Sequence, residues 1–245
     1  MAQGYRTFQH WNKWLSQHLM GENLLNAETG VLTSLLDKHY GKHVILIGVP
    51  HQSELLSATS IPCHSMLSPL YSRENTLRSI ESDFRELPIL TGTIDLVMLP
   101  HTLELLDNPR QLLVEACRIV KPEGLIVIIG FNPLSAWGLY KVFTKKNEPP
   151  WIGNFIASRD IKNWLKLADF EMEQHRSILF RPPTKRQGLY KKLHFLEGVG
   201  KKFLPSLGGV YILLARAKVI PLTPIRWKWK QNLGAIKIKT SASGI

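Results

Sequence analysis

The middle of the chain constrains the fold more than any other part. An apolar run, Asp95–Leu99, is followed by a segment with helical spacing, Asn108–Val120, and then by a second apolar run, Leu125–Phe131. Pro109 lies near the first turn of the helical segment, where proline is well tolerated. Two buried-type strands joined by a helix form a β-α-β unit, the building block of a parallel sheet. This stretch therefore predicts an α/β fold.

The alternation of strands and helices continues on both sides of this unit. Further strands are predicted at His43–Gly48, Ile61–Leu67, Phe170–Phe180 and Gly209–Lys218, further helices within residues 7–38, 53–58 and 158–168, and a third short element at Arg73–Arg85. Such alternation is typical of an open α/β sheet with helices on both faces.

The length of 245 residues suits one large domain or one domain with an elaboration. We expect an N-terminal helical cap over residues 1–40 and a main domain over residues 41–220, with an insertion at about 182–207. Residues 221–245 are basic and lack periodicity, which predicts a flexible tail.

Charge is distributed unevenly along the chain, whose net charge is +12. Residues 1–140 hold 10 Lys and Arg against 13 Asp and Glu, whereas residues 141–245 hold 21 against 6. The basic half predicts an anionic partner, which would be a nucleic acid, a membrane surface or an acidic substrate. The alternative is a solvated basic surface without a specific partner.

Two basic segments carry apolar residues as well. In Lys185–Leu207 the apolar side chains fall near one helical face, which predicts a helix that lies on an anionic membrane or packs on its own domain. In the tail, Arg226–Lys230 alternates tryptophan with basic residues, a pattern that suits stacking on bases or anchoring at a lipid interface.

Cysteine content and hydropathy bear on the compartment. Cys63 and Cys117 lie in apolar-rich surroundings, which favours a reducing compartment over a structural disulfide. The first residues lack the apolar core of a signal peptide. The longest apolar run is about eight residues, against the roughly 20 that a helix needs to cross a bilayer. We therefore expect a cytoplasmic protein, with peripheral membrane contact as an option.

An ordered set of residues surrounds the β-α-β unit. In chain order, it comprises an acid (Asp83), a Leu-Pro pair (Leu87 and Pro88), an aspartate at the start of a strand (Asp95), a Leu-Glu pair (Leu103 and Glu104), Asp-x-Pro (Asp107 and Pro109), a helix with Glu115 and Arg118, and Lys-Pro-x-Gly (Lys121, Pro122 and Gly124). In this set the chain resembles class I S-adenosylmethionine-dependent methyltransferases, in the branch that acts mostly on small molecules, and uncharacterised bacterial proteins of that branch. The resemblance covers residues 41–132 well and the rest by order of elements. It implies a Rossmann-like sheet, parallel with an antiparallel edge hairpin, and S-adenosylmethionine as cofactor.

The resemblance also implies which residues contact the cofactor: Ile47, Gly48, Val49, Asp83, Phe84, Leu87, Pro100 and His101. Asp83 would contact the adenine amino group and Phe84 would pack on the ring, although Asp83 is equally suited to capping a turn. His101 is the candidate catalytic general base, because its ordinary pKa suits that role. The alternative for His101 is a hydrogen bond at the sheet edge, and Glu104 is expected to order the loop.

The loop after the first strand departs from the family pattern, which is an acid followed by Gly-x-Gly-x-Gly. Gly48 is retained, but Leu46 stands at the acid position, and Pro50 and Gln52 replace the second and third glycines. Pro50 removes a donor and fixes φ, and Gln52 adds bulk where the cofactor approaches the backbone. Residues 55–73 contain no acid, although the family's ribose-binding acid is expected there.

Several other kinds of site are not indicated by the sequence. It has no phosphate-binding Walker loop, no G-x-S-x-G and no cysteine pair at zinc spacing. His39 and His43 are four apart but straddle Gly41, so no metal site is predicted. Asn132 and Trp137 follow the fifth strand, where substrate contacts are expected, although a tryptophan there also suits the packing of a lid.

These features predict methyl transfer from S-adenosylmethionine to an unidentified acceptor that is a small molecule or lipid-like. Such transfer depends chiefly on positioning and desolvation. Two alternatives stay open. A catalytically inactive pseudo-methyltransferase, acting as a binding or scaffold module, is favoured by Leu46, Pro50 and Gln52. An RNA-binding protein or RNA methyltransferase is favoured by the basic half.

Overall fold

The computed structural model describes residues 2–70, 78–82, 84–144, 148–183, 197, 198, 200 and 206–219. The helices are α1 (Ala2–Gln17), α2 (Leu19–Leu36), α3 (Pro109–Ile119), α4 (Ala136–Thr144) and α5 (Ser158–Leu167). The strands are β1 (His43–Ile47), β2 (Cys63–Ser68), β3 (Arg78–Glu81), β4 (Ile94–Pro100), β5 (Val120–Phe131), β6 (Phe170–Ile178) and β7 (Val210–Ala217). Two 3₁₀ segments cover Pro50–Ala58 and Leu103–Leu105.

The seven strands form one sheet in the order β3-β2-β1-β4-β5-β7-β6. Strands β1 to β5 run parallel, and β7 runs antiparallel to both β5 and β6. The prediction of a parallel α/β sheet with an antiparallel hairpin at its edge is therefore confirmed.

Burial explains which apolar runs became central strands. In β5, Leu125–Phe131 is buried at every position, as expected for a strand covered on both faces. In the edge strand β6, by contrast, only the two terminal residues, Phe170 and Ile178, are buried, and the positions between them are exposed or half-buried. Strand β5 begins at Val120, directly after α3, so the Lys-Pro-Glu-Gly stretch that follows the predicted helical segment already belongs to the strand. Val120 pairs with Ile94 across a register irregularity, which accommodates this early start.

Helices α1 and α2 form a hairpin that packs into the same core as the sheet. His18 adopts an extended conformation between them and breaks the helical path. A Cβ at Gly21 would lie 2.8 Å from the Leu15 Cα and from the Trp14 carbonyl oxygen. Glycine at position 21 therefore allows the two helix backbones to approach closely, and α1 is thereby held over the sheet.

Asp95 joins the starts of two neighbouring strands. Its carboxylate accepts hydrogen bonds from the backbone N–H groups of Lys42 (3.0 Å) and His43 (2.9 Å) and forms an ion pair with Lys121 (2.9 Å). Partial burial opposes ionisation, but these donors lower the pKa of Asp95. The aspartate that begins β4 thus has a structural role at the end of the sheet away from the predicted site.

Glu115 and Arg118 of α3 order the loop that precedes β4. The Arg118 guanidinium donates to Glu115 and to the carbonyl oxygens of Leu87 (3.1 Å) and Ile89 (2.9 Å). Glu115 in turn accepts from the Leu87 N–H at 3.1 Å. Two residues of the family-like set therefore hold a third one, Leu87, in place.

Some predicted elements differ in detail or lie outside the described residues. The helix expected at 53–58 is a 3₁₀ segment that begins at Pro50, because proline suits a first helical position. The third short element includes strand β3. The insertion is described only at its edges and at residues 197, 198 and 200, and the tail lies beyond the described residues. The division into cap, main domain and tail stays a prediction.

Candidate functional site

The predicted site lies where the order of the strands reverses. Strands β1 and β4 are neighbours in the sheet, while the chain proceeds from β1 towards β2 and β3 on one side and from β4 towards β5 on the other. Open α/β sheets bind ligands at this point, outside the carboxyl ends of the strands. Gly48 and Val49 follow β1 here, and Pro100 and His101 lie at the end of β4.

Gln52 connects the carboxyl ends of β1 and β4. Its side-chain Oε1 accepts from the Val49 N–H at 3.0 Å, and its Nε2 donates to the Pro100 carbonyl oxygen at 2.9 Å. The side chain is buried, and a Cβ placed on Gly48 would collide with its Oε1. The absence of a side chain at Gly48 thus makes room for Gln52, which occupies the space that the family pattern leaves to the cofactor.

His101 is enclosed between two glutamates. Only 1% of it is exposed, its Nε2 lies 2.7 Å from Glu28 Oε1, and its Nδ1 lies 3.1 Å from Glu104 Oε2. Burial opposes the charged imidazolium, but the two carboxylates outweigh burial and raise the pKa of His101 to about 9. Each ring nitrogen lies within hydrogen-bond distance of a carboxylate oxygen, an arrangement that favours the doubly protonated ring.

The two glutamates differ in how many hydrogen bonds their carboxylate oxygens accept. Glu104 also accepts a hydrogen bond from the Phe131 N–H, at 2.5 Å. Burial raises the pKa of the Glu104 carboxyl, although the hydrogen bond to His101 acts in the opposite direction. Glu28 is fully buried, and its Oε2 has no hydrogen-bond partner among the described residues. The buried triad of Glu28, His101 and Glu104 links α2 to the ends of β4 and β5.

Helix α1 covers this triad. The Trp11 ring lies 5.4 Å from the His101 ring and 6.1 Å from the Phe131 ring, centroid to centroid. Asn12 Oδ1 accepts from the His51 N–H at 2.9 Å, which fastens α1 to the loop after β1. The N-terminal helices therefore form one wall of the site.

The remaining predicted cofactor contacts are distributed around this point. Ile47 and Val49 are buried, and the Ile47 carbonyl oxygen accepts from Thr102 Oγ1 at 2.5 Å. Phe84 is also buried and packs edge-on against Phe8 at 5.6 Å, so that α1 supplies its ring contact. Leu87 is held by α3, as described above. Asp83 lies outside the described residues.

The structure thus brings Ile47, Gly48, Val49, Pro100 and His101 together at the reversal point. Their predicted roles as cofactor contacts, and that of His101 as general base, stay predictions. An imidazolium that donates from both nitrogens has no lone pair with which to accept a proton.

Sequence reasoning missed the contribution of α1 and α2. Glu28 is the clearest case, because it follows Leu24 by four residues and precedes Leu32 by four, on the buried face of α2. A carboxylate within an apolar helical stripe requires a buried partner, and this was a usable signal. Trp11 and Asn12 gave no comparable signal, since their contacts depend on the tertiary fold.

A cleft of about 430 Å³ lies between α1 and the ends of β1 and β2. It is lined by Tyr5, Gln9, His10, Asn12, Lys13, Pro50 and Leu70. The volume is within the range of roughly 300–1,000 Å³ for small-molecule sites. The cleft adjoins Pro50 in the loop after β1, next to the predicted cofactor position.

The Gln52 side chain fills the space beside Gly48, where the cofactor is predicted to bind. The end of β2 does not supply the expected acid, because Ser68 stands there and its Oγ accepts from the Leu70 N–H at 3.0 Å. Binding at the usual position therefore requires the Gln52 side chain to move out. Among the described residues, no three His, Cys, Asp or Glu side chains are grouped to hold a metal ion.

The comparisons with known proteins agree with this architecture. Residues 29–128 match the family model described as a methyltransferase domain. Protein YafS of Escherichia coli (strain K12), described as uncharacterized, is 29% identical over 220 residues, which cover 84% of this chain and 81% of that protein.

Solved structures share the fold at low sequence identity. One is an S-adenosylmethionine-dependent methyltransferase of Thermotoga maritima, described as a possible histamine N-methyltransferase, with a TM-score of 0.63, 16% identity, and coverage of 87% of this chain and 97% of that one. Another is geranyl diphosphate methyltransferase in complex with S-adenosylmethionine, with a TM-score of 0.53, 14% identity, and coverage of 79% and 85%. The match of residues 29–128 to a methyltransferase domain and the shared sheet order make this chain similar to S-adenosylmethionine-dependent methyltransferases, whose fold it has.

Proposed function

We propose that the protein methylates a small-molecule or lipid-like acceptor with a large apolar part. The observation that carries this proposal is an aromatic cluster at the carboxyl end of β5, formed by Phe131, Trp137, Tyr140, Trp151 and Phe155. Its ring centroids are separated by 4.9 Å to 6.4 Å along the chain of contacts. Phe131, Trp137 and Trp151 are buried in this cluster, whereas Tyr140 is exposed and Phe155 half-buried, so these two rings offer aromatic surface to an apolar ligand. The cluster adjoins the buried triad through Phe131.

A cation lies against the same cluster. Lys141 Nζ is 4.2 Å from the Phe155 ring centroid and donates to the Gly153 carbonyl oxygen. Burial lowers the pKa of Lys141, although the negative charge of Glu104 acts in the opposite direction. An apolar wall beside a cation suits an acceptor that joins an apolar body to an anionic group. Geranyl diphosphate, named for one structural neighbour, has this character.

The chain's own residues contribute positioning and exclusion of water. Trp11 and Phe131 close the apolar faces of the buried triad, and Glu28 and Glu104 fix the His101 ring. Methyl transfer from a sulfonium depends mainly on such positioning and desolvation.

The test is calorimetric titration with S-adenosylmethionine and S-adenosylhomocysteine, followed by methyl transfer from labelled cofactor to two acceptor pools. One pool holds prenyl phosphates and other amphipathic anions, and the other holds polar amines of similar size. We expect binding of both cofactor forms and label transfer to the amphipathic pool. Transfer confined to the polar amines contradicts the acceptor class.

The inactive binding module remains the second candidate function, and one observation favours it. The Gln52 amide and the backbone groups of Val49 and Pro100 satisfy one another's hydrogen bonds beside Gly48, as polar groups do in a closed protein core. Absence of cofactor binding in the wild-type protein and in a variant without the Gln52 side chain would make this the better description. The RNA-binding alternative is supported only by the charge of residues 141–245 and not by the candidate site.

A further inference from the structure

Helix α4 exposes an apolar face. Val142 and Phe143 follow Leu139 by three and four residues, so the three side chains share one side of the helix, and the exposed fractions of the three residues are 69%, 77% and 58% in that order. Leu134, just before the helix, is 78% exposed. We call these four residues the α4 face. A contiguous patch of this kind marks an interaction surface more often than an isolated exposed leucine does.

The opposite side of α4 is fixed to the candidate site. Trp137 is buried, stacks on Phe131 with the ring centroids 5.6 Å apart, and donates from Nε1 to the Arg181 carbonyl oxygen at 2.8 Å. A Cβ at Gly138 would clash with the Pro133 backbone, so the helix also packs closely on the chain that precedes it. The α4 face is therefore held outward, directly behind the aromatic cluster.

The charge of the chain indicates what the α4 face contacts. Lys145 and Lys146 follow α4 in the sequence, and residues 141–245 hold 21 Lys and Arg against 6 Asp and Glu. Exposed apolar side chains followed in the sequence by basic residues are the combination that binds anionic lipid surfaces. No helix among the described residues is long and apolar enough to cross a bilayer, so the contact would be made at the membrane surface.

A protein partner fits the same face less well. Stable protein–protein interfaces bury roughly 800 Å² on each partner, and four exposed side chains with a single aromatic ring supply much less. Shallow insertion into lipid requires no such area, because each apolar side chain leaves water independently.

We infer that the α4 face inserts into the interfacial layer of an anionic lipid bilayer and holds the aromatic cluster beside it. This inference extends the proposed function, because it places acceptor capture at a lipid surface. The binding itself does not depend on methyl transfer.

The test is co-sedimentation of the full chain with vesicles of phosphatidylcholine mixed with phosphatidylglycerol, and with vesicles of phosphatidylcholine alone. We expect the wild-type protein to bind the mixed vesicles more tightly. The double variant Leu139→Glu, Phe143→Glu should bind them at least tenfold more weakly. Leu167→Glu is the matched control, because Leu167 is 84% exposed at the end of α5, and it should bind like the wild type. Thermal melts establish that each variant is folded.

Four outcomes overturn the inference. The first is a double variant that binds the mixed vesicles as tightly as the wild type, and the second is a wild-type protein that binds both vesicle types equally. The third is a wild-type protein that binds no vesicles but forms a dimer that the double variant does not form. The fourth is a wild-type protein that binds single-stranded RNA but no vesicles. The proposed function fails separately. Cofactor binding without vesicle binding removes only the α4 inference, whereas vesicle binding without cofactor binding removes only the methyl transfer.

Discussion

Whether the space beside Gly48 is open depends on one side chain, that of Gln52. Two buried hydrogen bonds hold it between Val49 and Pro100. A typical hydrogen bond contributes about 1 kcal/mol net, so displacing Gln52 costs about 2 kcal/mol. A cofactor that enters this space binds more weakly by that amount, which corresponds to about thirtyfold in affinity.

Gln52→Ala is therefore expected to bind S-adenosylmethionine at least tenfold more tightly than the wild type, as measured by calorimetry. The variant leaves the Val49 N–H and the Pro100 carbonyl unpaired, so it should also be less stable by about 1–3 kcal/mol. Gln17→Ala, at an exposed position of α1, is the control and should change neither quantity. Equal or weaker cofactor affinity in folded Gln52→Ala would show that Gln52 does not obstruct the site.

The buried triad makes stability depend on pH. The folded-state pKa of His101, about 9, exceeds its ordinary value of 6.5. A raised pKa contributes stability that is present in full below about pH 6.5 and is lost as the pH rises through 9. The shift corresponds to a contribution on the order of 3 kcal/mol.

His101→Asn is expected to lower the free energy of unfolding at pH 7 by about 3 kcal/mol, because it leaves two buried carboxylates without a cation. Asparagine tolerates the positive φ of 54° at this position. Urea denaturation between pH 7 and pH 10 should show a loss of stability in the wild type and a flatter profile in the variant. His10→Asn, at an exposed position, serves as the control. Parallel profiles in wild type and His101→Asn would mean that the triad does not titrate as argued.

Among the elements, the α1–α2 hairpin determines the form of the site. It brings Trp11 and Asn12 onto the loop after β1 and buries Glu28 against His101. Its geometry depends on the close approach at Gly21. A Cβ added at Gly30, a second glycine of α2, would meet no atom within 4 Å, so the same helix contains a matched comparison.

Gly21→Ala is expected to destabilise the protein by about 1–3 kcal/mol, since the added methyl group collides with the α1 backbone. Gly30→Ala should instead stabilise it by about 0.5–1 kcal/mol, because alanine restricts the unfolded chain and favours the helix. Urea denaturation measures both. If the two variants change stability in the same direction, the close helix contact is not what requires glycine at position 21.

For the whole molecule, the sequence predicted the sheet well and the site only in part. The apolar runs of β1, β4, β5 and β7 and the helical spacing of α3 are local patterns, so they could be read directly. Glu28 and Trp11 reach the site through packing between distant segments, which periodicity does not encode. Gln52 was recognised as bulk in the loop, but its bridge to Pro100 depends on β1 and β4 being neighbours in the sheet.

At this scale we expect the basic tail and the α4 face to contribute separately to lipid binding. Residues 221–245 contain five Lys and Arg and no Asp or Glu, and their sequence lacks regular periodicity. Ending the chain at residue 220 should leave the free energy of unfolding within about 0.5 kcal/mol of the wild-type value, as for changes away from the core.

The same truncation should weaken binding to phosphatidylglycerol-containing vesicles at low salt and make the remaining binding less sensitive to salt, because screened charge attraction is what it removes. The Leu139→Glu, Phe143→Glu variant should lose affinity at high salt as well, since insertion of apolar side chains is not screened. Co-sedimentation across a salt series distinguishes the two. Identical salt profiles for the truncated chain and the full chain would assign the charge contribution to residues before 221.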